Sequence, residues 1–104
     1  MTIKEIYEKL KEALSKLQSA DTDDDATLDL EILVLQLKKQ LLLGGFDPLK
    51  ELSGVTVADV SKLPQLVQEV DKVIENEAKR VKLIQRIIST AKIGLKAAGL
   101  PIPS

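Results

Sequence analysis

The stretch that decides the fold is residues 64–98, PQLVQEVDKVIENEAKRVKLIQRIISTAKIGLKAA. Starting from Leu63, positions at alternating steps of four and three are apolar except for Glu77, which is the heptad pattern of a helix packed against other helices. Pro64 can open a helix, and no proline or glycine interrupts residues 65–93. The pattern therefore predicts one long C-terminal helix over 64–98. A break near Asn76, folding the segment into two antiparallel helices, is the alternative.

Two earlier segments also carry helical periodicity. Residues 2–19 place isoleucines and leucines on one side, with charged residues on the other. Residues 26–43 are apolar around most of the helix circumference, so this helix should be covered on more than one side. Gly44 and Gly45 then provide a stop signal. These segments predict two helices of similar length, joined by a short acidic loop.

Between the second and the last helix, Asp47 and Pro48 have the spacing of a helix cap and a first helical residue. This predicts a short turn of helix at 47–53. The whole chain is thus expected to be all-α: a three- or four-helix antiparallel bundle with a long C-terminal helix and a short helical connector. Its 104 residues form a single domain, 1–104, since this length suits one hydrophobic core.

The composition lacks two of the side chains that enzymes most often use for catalysis. The sequence contains no cysteine and no histidine, the residues that most often serve as thiolate nucleophile, general base or transition-metal ligand. We therefore expect a non-enzymatic protein without a cofactor. An enzyme that uses carboxylates and a divalent cation is the remaining catalytic alternative. The charged N-terminus and the short uncharged runs predict a cytoplasmic protein with no secretory signal and no transmembrane segment.

The acidic run SADTDDDATLDLEI, residues 19–32, has two interpretations. Oxygen ligands from Asp21, Asp23, Asp25 and Asp29 follow the register of a calcium loop. However, Ala26 replaces the required glycine and Ile32 replaces the bidentate glutamate. The run is better explained as the start of the second helix, where carboxylates satisfy free N–H groups and the helix dipole. Weak, opportunistic binding of calcium or magnesium is the alternative.

Charge is distributed unevenly along the chain. All sixteen acidic residues lie at or before Glu77, so residues 78–104 carry a net charge of +6 and the preceding part −7. A basic helix face can bind an anionic partner, namely nucleic acid, a membrane surface or an acidic protein. Nucleic acid is the least expected of these, because the chain has few aromatic residues to stack on bases. The candidate residues are Lys79, Arg80, Lys82, Arg86, Lys92 and Lys96.

The length of the predicted last helix suggests self-association. A continuous helix over 64–98 would span about 52 Å, whereas each of the first two helices would span about 27 Å. Its apolar stripe would then extend beyond what those helices cover, and exposed stripes of this kind mark interfaces. The leading prediction is a self-associating interaction or scaffold module, a homodimer or other homo-oligomer, with a further protein partner unidentified. Its contact surfaces would be residues 26–43 and, on the last helix, Ile74, Val81, Ile84, Ile87, Ile88 and Leu95.

Overall fold

The computed structural model describes residues 1–52 and 59–101. Within these ranges it contains four α-helices: α1 (Ile3–Ser19), α2 (Asp25–Leu43), α3 (Leu63–Val73) and α4 (Glu77–Ala97). The described residues form no β-sheet, only an isolated antiparallel bridge between Thr2 and Glu51. The predicted all-α bundle is confirmed, and α1 and α2 match the predicted helices to within one residue.

Short connections pair the helices into two hairpins. α1 packs against α2 and α3 packs against α4, and the hairpins stack with α1 on α3 and α2 on α4. The Lys16 ammonium lies 2.7 Å from the Asp71 carboxylate, so α1 and α3 end on the same side of the bundle. α2 and α4 both begin there, because their first turns are joined by Asp24 and Arg80. This end of the molecule is called the hairpin end below.

The core is aliphatic and draws on every helix. Side chains of facing helices interdigitate ridge into groove, and isoleucine, leucine and valine fill the centre here. The largest fully buried side chains in the described residues are Ile6, Leu10, Leu17, Leu30, Leu33, Leu37, Val60, Leu63, Val67, Ile84, Ile87 and Leu95. A single continuous core therefore joins both hairpins.

The predicted continuous helix over 64–98 is wrong, because the segment turns at residues 74–76. Asn76 has an extended backbone, and its side-chain oxygen accepts a hydrogen bond of 3.1 Å from the Lys79 N–H, which caps α4. The Arg80 guanidinium donates a hydrogen bond of 2.6 Å to the Ile74 carbonyl, satisfying an acceptor at the end of α3. The alternative break near Asn76 is the arrangement found, and it gives the bundle four helices within the described residues.

The other end of the bundle holds the connector. Gly44 and Gly45 both have positive φ, which confirms the predicted end of α2. Asp47 starts a turn as predicted, with its carboxylate accepting from the Leu49 N–H at 3.0 Å, but over 47–52 the chain forms a turn and not a helix. Ser53, the last residue of that predicted helix, lies outside the described residues.

Gly94 allows α4 to approach the rest of this end closely. A Cβ atom at Gly94 would lie 2.8 Å from a methyl group of Val60 and 3.0 Å from one of Ile6. Glycine in a helix interior costs about 1 kcal/mol relative to alanine, and here the close packing explains its presence. No helix of the described residues combines the length and the apolar character that a bilayer crossing requires.

Candidate interaction surface

The second helix carries apolar side chains on two opposite faces. One face enters the core through Ala26, Leu30, Leu33, Val34 and Leu37. The opposite side, called the outer face here, is directed to solvent. Its side chains are exposed by between 44%, for Ile32, and 79%, for Leu42. The outer face consists of Leu28, Ile32, Leu35, Leu42 and Leu43.

The outer face is a regular seam and not a scatter of single residues. Leu28, Ile32, Leu35 and Leu42, with Lys39 between the last two, are separated by steps of four, three, four and three. Residues at this spacing lie along one side of an α-helix, in the pattern that coiled-coil partners use. A polar residue would be expected at most of these positions on an ordinary solvent-facing side. α2 therefore presents a helix-pairing pattern to solvent.

Charges flank the outer face asymmetrically. Asp25, Asp29 and Glu31 lie in the N-terminal half of α2, whereas Lys38 and Lys39 lie in its C-terminal half. Among the ion pairs of the described residues, none involves these five side chains. They are therefore available to a partner, and their arrangement gives the surface a direction from acidic to basic.

A groove runs beside the outer face, between α2 and α4. Its volume is about 390 Å³, and it is open to solvent. Ile32 forms one edge, and the half-buried Ile88 of α4 lies in its wall. The remaining lining is polar, contributed by Asp29, Gln36, Gln85, Ser89 and Lys92, with Leu33 at the base. The groove thus adds apolar contact area next to Ile32.

The predicted interface residues on the last helix lie elsewhere. Ile84, Ile87 and Leu95 are fully buried in the chain's own core, and Ile74, Val81 and Ile88 pack partly buried against that core. The break at residues 74–76 explains this, because it folds the apolar half of the segment back onto α1 and α2. These side chains do not form a surface stripe. Of the seven large apolar side chains that are exposed in the described residues, five lie on the outer face of α2, and the other two are Leu49 and Ile93.

The predicted anion-binding residues separate into two groups. Lys79, Lys82, Arg86 and Lys96 are exposed on α4, and the half-exposed Lys92 lines the groove. Arg80 does not belong with them. Its side chain is only 12% exposed, and its Nε donates a hydrogen bond of 2.8 Å to the Asp24 carboxylate. Arg80 therefore has a structural role, which its sequence position among lysines and arginines did not indicate.

Asp24 is the centre of the network at the hairpin end. It caps α2, as the sequence predicted for the acidic run, by accepting a hydrogen bond of 2.8 Å from the Thr27 N–H. The same oxygen accepts from the Thr27 hydroxyl at 2.8 Å, and the other oxygen binds Arg80. Burial of Asp24 favours its neutral form. Even so, the hydrogen bonds from Thr27 and Arg80 hold the pKa of Asp24 below its ordinary value.

The other aspartates of the run do not converge. Asp21 has a φ of 57°, the left-handed conformation, and occupies the position after α1 that glycine usually fills. Asp23, Asp25 and Asp29 are exposed. In the described ranges no three acidic side chains come close enough together to hold a metal ion. The four aspartates of the predicted cation site, Asp21, Asp23, Asp25 and Asp29, therefore do not form a preformed binding site in the structure.

Comparison of the chain with protein-family models, with curated proteins and with solved structures finds no match. The outer face of α2 is accordingly interpreted from its own geometry.

Proposed function

We propose that this chain is a small, non-enzymatic interaction module that self-associates through the outer face of α2. The observation that carries the proposal is the exposed 4–3 seam formed by Leu28, Ile32, Leu35 and Leu42. Single exposed leucines are common on proteins, but a contiguous apolar patch marks an interaction site. A cytoplasmic location for this module stays a prediction from the sequence.

The size of the patch sets the expected strength of association. Each exposed outer-face side chain offers on the order of 100 Å² of apolar area, so complete burial of both patches would remove at most about 1,000 Å² from solvent. This is near the lower limit for specific interfaces. Because association also costs translational and rotational freedom, we expect a reversible dimer with a dissociation constant of roughly 1 to 100 μM.

Sedimentation velocity across a concentration range tests the proposal. We expect the sedimentation coefficient to rise from that of a monomer to that of a dimer with concentration, in high salt as well as in low salt, because burial of apolar surface is the main driving force. The double substitution Leu35→Gln and Leu42→Gln should abolish the dimer. Both side chains are exposed in the monomer, so its stability should change by no more than about 0.5 kcal/mol each.

Leu49→Gln is the matched control. Leu49 is 64% exposed but lies in the connector and is not part of the α2 seam. The substitution should leave association unchanged. A wild-type chain that stays monomeric at millimolar concentration would refute the proposal, as would a dimer that survives the double substitution with its affinity intact.

A second candidate is an electrostatic binder of an acidic partner. It is favoured by the clustering of Lys79, Lys82 and Arg86 around one shallow depression between α3 and α4, although Glu69 lines the same depression. Binding of an acidic polypeptide such as polyglutamate would be measured by titration at increasing salt. Replacing Lys79, Lys82 and Arg86 by glutamate should abolish it, and unchanged binding would exclude this function.

A further inference from the structure

The charges that flank the outer face define how two copies would pair. Acidic residues occupy the N-terminal half of α2 and basic residues its C-terminal half. A parallel pair would place like charges side by side, whereas an antiparallel pair places the acidic half of one helix against the basic half of the other. Opposite charges flanking an apolar seam set partner orientation in helix pairs.

The seam allows antiparallel registers that differ by one heptad, and the charges at its flanks select one of them. When two copies of α2 run antiparallel with a two-fold axis between Ile32 and Leu35, each Ile32 meets the Leu35 of the other copy. Leu28 then meets the aliphatic stem of Lys39, whose ammonium can reach solvent, and Leu42 lies beside Asp25 at the start of the other helix, outside the central apolar contact. Glu31 and Lys38 lie on the same flank of the seam, seven residues apart, so in this register Glu31 of each chain faces Lys38 of the other.

We propose that the partner for the outer face is a second copy of this chain, bound as an antiparallel two-fold pair of α2 helices with reciprocal Glu31–Lys38 contacts. This inference rests on the proposed function and specifies its geometry. The two-fold arrangement is self-complementary, since both charge pairs form at once and the helix dipoles oppose each other. It also closes the assembly at two chains, because each chain has its outer face occupied.

Charge-swap mixing tests the orientation. Glu31→Lys and Lys38→Glu should each weaken homodimerisation about tenfold, because each replaces two attractive contacts with two repulsive ones. Mixing the two variants should restore a heterodimer of wild-type affinity, since every contact is again between opposite charges. Glu8→Lys and Lys4→Glu, exposed residues on α1, are matched controls that should leave association unchanged.

Cysteine cross-linking tests the register, and the chain offers a clean background because it contains no cysteine. In the antiparallel pair, the two copies of residue 28 lie about 16 Å apart along the helix axis, too far for a disulfide. Leu28→Cys alone should therefore stay uncross-linked under oxidation, and so should Lys39→Cys alone. A mixture of the two should form the heterodimeric disulfide.

The outcomes separate this inference from the proposed function. Cross-linking of Leu28→Cys with itself would indicate a parallel pair and overturn the inference while leaving self-association intact. A wild-type dimer whose affinity is unaffected by the single charge swaps, and which gives no mixed disulfide, would do the same. A monomeric wild-type chain would overturn both. Restored affinity on mixing together with the mixed disulfide supports the antiparallel pair.

Discussion

Replacing Asp24 should destabilise the fold far more than its position in an acidic loop suggests. Asp24 caps α2 and pairs with Arg80 of α4, and the two side chains are only 8% and 12% exposed. Loss of a helix N-cap costs about 1 kcal/mol. Removing one partner of a buried ion pair costs about 3 kcal/mol or more, because the other charge stays buried without compensation.

Two substitutions of Asp24 separate the loss of stability due to the ion pair with Arg80 from the loss due to the helix cap. Asp24→Asn keeps an oxygen that can accept from the Thr27 N–H, so it should lose only the interaction with Arg80, about 3 kcal/mol. Asp24→Ala loses the cap as well and should cost about 4 kcal/mol. Since native proteins are stable by about 5–15 kcal/mol, the alanine variant should lose a large share of the free energy of unfolding.

Urea denaturation at neutral pH, followed by circular dichroism, gives these free energies of unfolding. Asp71→Asn is the matched control. Asp71 also pairs with a cation, Lys16, but its side chain is 69% exposed, so its loss should cost at most about 1 kcal/mol. The reasoning is refuted if Asp24→Asn unfolds within about 0.5 kcal/mol of wild type, or if Asp24→Ala and Asp71→Asn are equally stable.

Three further predictions follow from the described geometry. Because hydrogen bonds hold the pKa of Asp24 below its unfolded value, their contribution to stability is complete above about pH 4 and is lost as pH falls through the folded pKa. Below pH 4 the free energy of unfolding of the wild type, measured in urea, should therefore fall towards that of Asp24→Asn, which has no ionised carboxylate at this position. Free energies of unfolding that fall in parallel for the two proteins would contradict this. Asp21→Gly should raise the free energy of unfolding by about 1 kcal/mol, since glycine adopts the left-handed conformation without strain. An unchanged melting temperature for this variant would contradict the prediction. Gly94→Ala should lower the free energy of unfolding by about 1–3 kcal/mol, although alanine has the better helix propensity, because the new methyl group would lie 2.8 Å from a methyl group of Val60. An increased melting temperature for this variant would show that the packing around residue 94 relaxes freely.

The acidic run contains one contact that the local sequence determines and one that it does not. The carboxylates near the start of α2 were predicted to cap the helix, and Asp24 does so, because an N-cap depends only on the chain within three residues of it. The contact of Asp24 with Arg80 joins residues 56 positions apart. No local pattern carries that information. Arg80 therefore looked like one more surface cation until the fold brought α2 and α4 together.

The outer face of α2 was partly visible in the sequence. The apolar excess of residues 26–43 indicated that this helix has more than one apolar side, and the 4–3 spacing of Leu28, Ile32 and Leu35 was a signal that could have separated the outer seam from the core seam. Which of the two seams is buried depends on the neighbours. Packing of α1 and α4 against one side settles it.

By itself the sequence determined the elements: helix periodicity, capping residues and glycine stops act within a few positions, and they placed α1, α2 and the end of α2 correctly. Only the tertiary structure decided that residues 63–98 form two helices. The seam through Val67, Val70, Ile84 and Leu95 has the same period whether the helix continues or folds back, because both arrangements bury the same side chains. The turn at Asn76 is fixed by its cap and by Arg80, which the fold anchors to both Ile74 and Asp24. That turn takes most of the apolar face of α4 into the core and leaves the outer face of α2 as the longest row of exposed apolar side chains in the described residues.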